Sequence, residues 1–115
     1  IAPVEAMAAG APVIALGKGG LLDTVRCAAQ GLSSPTGVLF HQQNVLSLIE
    51  ALNWFEEKKL WNELNPEVLN SWANRFSSDA FKLRFEKLLR RCWSLHQKGL
   101  SEASSDPALM SELRL

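Results

Sequence analysis

Ile1-Ala2-Pro3-Val4-Glu5-Ala6-Met7-Ala8-Ala9-Gly10-Ala11-Pro12-Val13-Ile14-Ala15-Leu16 is the stretch that decides the fold. Pro3 suits the first turn of a helix, where its missing N–H costs nothing. Ala6, Met7, Ala8 and Ala9 are strong helix formers. Gly10 supplies a left-handed cap and Pro12 blocks continuation. The spacing predicts a helix over 3–9 and an apolar strand over 12–16. A helix of about two turns is marginal alone and must pack against a sheet. Its N-terminus carries open N–H groups and the positive end of the dipole, which suits a phosphate. Glu5, one turn in, is placed either to complement that dipole or to accept hydrogen bonds from sugar hydroxyls beside the phosphate.

Working outward, Gly17-Lys18-Gly19-Gly20 reads as a tight turn into a short helix over 21–28. It lacks the spacing of a Walker loop, and Leu22 breaks a Gly-x-Gly-x-x-Gly pattern. Its functional reading sets the N–H groups of Gly19 and Gly20 near a diphosphate or the sugar attached to it, with Lys18 as a further phosphate contact. After the loop 31–35, a second apolar strand is expected over 36–40. Asn44 then caps a long helix whose stripe is Val45, Leu48, Ile49, Leu52 and Phe55. Neither strand alternates with polar residues, so both are expected in a parallel sheet covered on both faces.

The remainder reads as helical. Asn65-Pro66 opens one helix with Val68, Leu69, Trp72 and Ala73 inward. A second covers roughly 78–97, with Phe81, Phe85, Leu88, Leu89, Cys92 and Leu95 on one face. Lys82, Arg84, Lys87, Arg90 and Arg91 line the other. That basic face has three readings: a solvated surface, a contact with another domain, or a membrane-surface contact. The division expected is a partial α/β domain over 1–59, its helices over 60–97, and a weakly structured tail over 98–115. Two strands are too few for a doubly wound sheet, so upstream strands are expected to belong to the same domain. Trp54, Trp61, Trp72 and Trp93 are expected to anchor the packing between helices.

Composition narrows the classes. The 115 residues are 47% hydrophobic and 21% charged, ordinary for a globular chain. Twelve basic and twelve acidic side chains cancel, so no basic field argues for nucleic acid. No apolar run approaches the roughly 18 residues of a membrane span. Cys27 and Cys92 form neither a disulfide framework nor a metal spacing, which fits a reducing, cytoplasmic setting. His41 and His96 have no ligand partners nearby in sequence, so no metal site is expected. Asp23 and Asp79 sit at helix starts and suit capping or dipole roles.

The segment 3–15 resembles the donor-site signature of retaining GT-B glycosyltransferases, in particular the group 1 family that includes bacterial mannosyltransferases. Gly17-Lys18-Gly19-Gly20-Leu21-Leu22-Asp23-Thr24-Val25 and Thr36-Gly37-Val38-Leu39-Phe40 resemble it too, in the same order. Trp72-Ala73-Asn74-Arg75-Phe76-Ser77 is similar to its usual ending. The family carries two glutamates with seven residues between them, and Glu5 matches the second. The resemblance implies that Glu5 bonds the ribose hydroxyls of a nucleotide sugar. It implies that backbone N–H groups, here at Ile1 and Ala2, cradle the diphosphate. The first glutamate, the basic pair on the diphosphate and the acceptor domain would all lie upstream of Ile1, so no catalytic residue is expected within the chain. The resemblance also implies transfer of a sugar, with GDP-mannose favoured, to a glycan or lipid-linked acceptor. It implies retention of configuration without a metal or separate cofactor, at the inner face of a membrane or free of it. The chain alone is expected to be inactive. A non-catalytic helical assembly module, or another sugar-nucleotide enzyme such as an epimerase, are the competing readings.

Overall fold

A computed structural model describes residues 1–98, which form two compact units divided between Asn74 and Arg75. The first unit opens with α1 (Ala2–Ala8), which carries Pro3 in its first turn. Gly10 adopts φ +85°. Its N–H donates to the Met7 carbonyl at 2.9 Å, and that of Ala11 to the Ala6 carbonyl at 2.9 Å. These paired bonds satisfy the last carbonyls of α1 and turn the chain into β1 (Val13–Leu16). β1 lies parallel to β2 (Gly37–Phe40), in register from Val13 opposite Gly37 to Leu16 opposite Phe40. The expected α/β class with parallel strands is therefore present. Gly37 is required by that register, because a Cβ there would overlap the Val13 carbonyl.

The crossover differs from the expected helix over 21–28. α2 spans only Leu21–Thr24, and Val25 is already extended. The reason is competition from the sheet. The Arg26 carbonyl accepts from the N–H groups of Thr36 and Gly37, while Thr36 Oγ1 accepts from the Arg26 N–H at 2.9 Å. Thr36 is fully buried, so this exchange satisfies a hydroxyl that would otherwise be costly. Cys27 makes an isolated parallel bridge to Gly37, and its Sγ accepts from the Leu39 N–H at 3.4 Å. Val25 and Cys27 thereby enter the core beside Val38 and Leu39.

Asn44 caps α3 (Val45–Glu57) by accepting from the Ser47 N–H at 2.8 Å. The buried face of α3 is not the one its apolar stripe predicts. Ala51 is buried, and Ser47, Trp54 and Phe55 are partly covered. Val45 is 71% exposed, with Leu48, Ile49 and Leu52 also exposed. The small Ala51 side chain, rather than the bulky stripe, meets β2, which permits close approach of helix and strand.

α4 (Pro66–Ala73) starts on the Asn65 cap and buries Leu69 and Ala73. It covers α1, so the small-residue helix packs on another helix as well as on the sheet. Asn70 Nδ2 donates to the Ala8 carbonyl at 2.6 Å. Pro66 sits so close to Gly10 that a Cβ there would lie 2.9 Å from its own. The Trp72 indole donates to the Thr24 carbonyl at 2.7 Å, and the Arg26 guanidinium lies 4.8 Å from its ring centroid. Met7 and Leu69, both 0% exposed, belong to the resulting core.

The second unit is built on α5 (Ser78–Gln97), capped by Ser77 accepting from the Ala80 N–H at 3.2 Å. Arg84 donates to the Arg75 carbonyl at 2.8 Å, and Arg90 pairs with Glu86 at 2.6 Å on an exposed face. Phe81 and Phe85 stack with centroids 5.7 Å apart. Of the four tryptophans, Trp54 and Trp72 pack against the core of the first unit, whereas Trp61 and Trp93 are exposed. The expectation that all four anchor the packing thus holds for two. Trp61 lies in a surface turn after α3, and Trp93 on an exposed face of α5. The expected tail beyond residue 98 lies outside the described residues.

Candidate functional site

Two segments far apart in sequence line a cleft of about 430 Å³. The start of α1 contributes Ile1, Pro3 and Val4. The turn after β1 and the start of α2 contribute Lys18, Gly20, Leu21 and Thr24. The pairing of β1 with β2 continues through the Gly17 N–H, which donates to the Phe40 carbonyl at 2.7 Å, so the turn begins from a fixed point. Lys18 N–H then bonds the Leu16 carbonyl at 2.8 Å and reverses the chain. Gly19 takes φ +59°, and neither Gly19 nor Gly20 has a neighbour within 4 Å of where a Cβ would stand. The loop backbone therefore faces open space, accessible to a ligand. Thr24 Oγ1 is held by the Gly20 carbonyl at 3.0 Å, which stiffens the first turn of α2.

The sequence-predicted residues fall around this cleft unevenly. Ile1 and Gly20 line it. Ala2 is the first residue of α1, and no capping side chain closes the helix at Ile1. The early N–H groups there remain open to an acceptor. Gly19 is exposed and adjoins Gly20 in the turn. Glu5 is exposed on α1 and does not itself line the cleft. Its carboxylate has no hydrogen-bond or ion-pair partner among the described residues.

Lys18 is the lining side chain that carries charge, and it forms no ion pair within the described residues. In the sequence it stands out only as an accessory; its place among the glycines of one turn is the signal. An unpaired ammonium beside open backbone N–H groups makes this cleft suited to an anion. His41 and His96 belong to different units, and no group of three or more His, Cys, Asp or Glu side chains converges among the described residues. No described helix is long and apolar enough to cross a membrane.

Comparison with curated proteins and with solved structures returned no match. The family comparison did: residues 1–76 match the family described as glycosyl transferases group 1, a span that covers α1 through α4 and both strands. That span holds both parallel strands and the cleft where the start of α1 meets the glycine turn, and the chain belongs to the group 1 glycosyltransferases.

Proposed function

We propose that the chain supplies part of the donor site of a glycosyltransferase that moves mannose from GDP-mannose to a hydroxyl of a glycan or lipid-linked acceptor. In this reading Glu5 accepts hydrogen bonds from the ribose hydroxyls. The backbone at Ile1, Ala2, Gly19 and Gly20, with the Lys18 ammonium, faces the diphosphate. Transfer proceeds with retention and without a resident metal or cofactor. Its barrier falls because positive groups stabilise the charge that develops on the leaving diphosphate. The observation that carries the reading is the family match over residues 1–76, which contains the cleft between α1 and the Gly17–Gly20 turn. Membrane contact, if the acceptor is lipid-linked, is peripheral.

Among the described residues no carboxylate or imidazole lines the cleft to act as general acid or base, so we propose that residues 1–115 alone bind donor without transferring sugar. Saturation-transfer NMR with GDP-mannose, UDP-glucose and GDP tests this. The expected result is a nucleotide signal that is strongest for GDP-mannose and lost in Glu5→Ala. Equal signals in Glu5→Ala and the unaltered protein overturn the role of Glu5, and sugar transfer by residues 1–115 overturns the proposed inactivity. A second reading, a helical interaction module, draws on the exposed Phe81, Phe85, Leu89 and Trp93 of α5. It predicts a binding partner that is indifferent to nucleotide sugars.

A further inference from the structure

A second and larger cleft, of about 680 Å³, lies between β2 and the first half of α3. Its size falls within the range of small-ligand sites, roughly 300–1,000 Å³. Phe40, Leu46 and Trp54 supply an apolar wall. Trp54 is half-buried, and its indole N–H makes no hydrogen bond among the described residues. The lip is pre-arranged. Asn44 caps α3 through Ser47, the Gln42 N–H donates to Ser47 Oγ at 3.4 Å, and Asn44 Nδ2 donates to Gln42 Oε1 at 3.1 Å. That last bond occupies the Gln42 carbonyl and leaves its NH₂ group as a donor. His41 and Glu50 also line the cleft, and neither side chain has a hydrogen-bond or ion-pair partner among the described residues.

The chemistry of these unspent groups selects a ligand. No lysine or arginine lines the cleft, so a phosphate or nucleotide would meet Glu50 with nothing to offset it. A cation would satisfy Glu50 and lie against Trp54, but would offer no acceptor to the indole, imidazole and amide donors. Sugar hydroxyls donate and accept at once, and a pyranose ring has an apolar C–H face to lay on an indole. We infer that the β2–α3 cleft binds a neutral saccharide chain, separately from the donor cleft, with Trp54 as its platform and Glu50 and Gln42 as its polar contacts. The inference leans on the sugar chemistry of the family and is independent of the role of Glu5. Such a site would hold the growing product or the acceptor chain close to the enzyme between transfers.

Two-dimensional ¹H–¹⁵N NMR of the full chain tests it, with maltotriose and α-1,2-mannobiose as probes and inorganic phosphate and choline as controls. The expected result is a saturable shift of the Trp54 indole and Gln42 side-chain amide signals with a saccharide and not with either control. Affinity should be weak, about millimolar. Glu50→Gln should weaken it about fivefold, as the loss of one charge-assisted bond. Glu5→Ala should leave it unchanged while abolishing nucleotide-sugar binding. Trp54→Phe keeps a ring for packing but removes the indole N–H, and should weaken binding as well. Silence of the Trp54 and Gln42 signals with both saccharides overturns the inference, as does an equal response to choline. A saccharide response that survives in Glu50→Gln and Trp54→Phe alike overturns it too. None of the saccharide outcomes depends on whether nucleotide sugars bind at the other cleft.

Discussion

The Trp72 indole N–H and the Thr24 carbonyl, 2.7 Å apart, join α4 to the last residue of α2 across 48 positions of sequence. This bond anchors the far end of the short helix that lines the cleft beside α1. Trp72→Phe keeps a ring beside Arg26 but removes the donor and leaves the carbonyl partly buried and unmet. We expect a loss of about 1–2 kcal/mol in urea unfolding. A change below about 0.5 kcal/mol would show that water replaces the indole at no cost.

Gly10 and Gly31 separate two costs of a side chain. Both have positive φ, +85° and +66°. At Gly31 a Cβ meets nothing within 4 Å, so Gly31→Ala carries backbone strain alone, about 1–2 kcal/mol. At Gly10 the new Cβ also meets Pro66, so Gly10→Ala should cost about 2–4 kcal/mol. Equal losses for the two, measured by denaturant titration, would mean that α4 shifts freely away from α1.

Lys18 is exposed and unpaired, so Lys18→Ala should leave the unfolding midpoint unchanged. Its effect should appear in GDP binding at low salt, as a weakening of about three- to tenfold. That difference should shrink as ionic strength rises toward about 1 M, where screening acts within about 3 Å. A salt-independent deficit would point instead to a change in loop shape.

Helix caps should outweigh the surface ion pair. Asn65 accepts from the Glu67 N–H at 2.8 Å, and Asn65→Ala should cost about 1 kcal/mol. The Glu86–Arg90 pair is 57% and 79% exposed, so Glu86→Gln should cost about 0.5 kcal/mol or less. Thermal melts of the two variants check the ranking, and a larger loss for Glu86→Gln would reverse it.

Local chemistry is readable from sequence where a residue acts on its own neighbours. Gly10 with Pro12, and the caps at Asn44, Asn65 and Ser77, work over three or four positions, and each marks a boundary that the structure has. The paired apolar strands are legible because neither run alternates. Long-range competition is not. Val25 to Cys27 read as helix because their pairing with Thr36 and Gly37 spans about ten residues and is invisible to a local period. On α3 the periodicity locates an apolar face correctly but not the face that β2 covers, since Ala51 weighs little on a hydropathy pattern. Around the cleft beside α1, Gly19 and Gly20 stand out by motif, as does Glu5 outside its lining, whereas Lys18 gains meaning only when the fold sets it near Ile1 and Pro3.

The bond from Asn70 to the Ala8 carbonyl spans 62 residues, and it has a consequence for the order in which the chain becomes ordered during synthesis. α1 has seven residues, too few to persist alone. The helix that bears Glu5 leaves the ribosome before α4 but gains its support from it, and α4 emerges more than fifty residues later. The sheet beneath it also waits, because Val13 finds its partner at Gly37. The end of the unit that bears Glu5 is thus made early within it and secured late. Slowed translation through α4 should therefore prolong the interval in which the α1 region is open to proteases and chaperones.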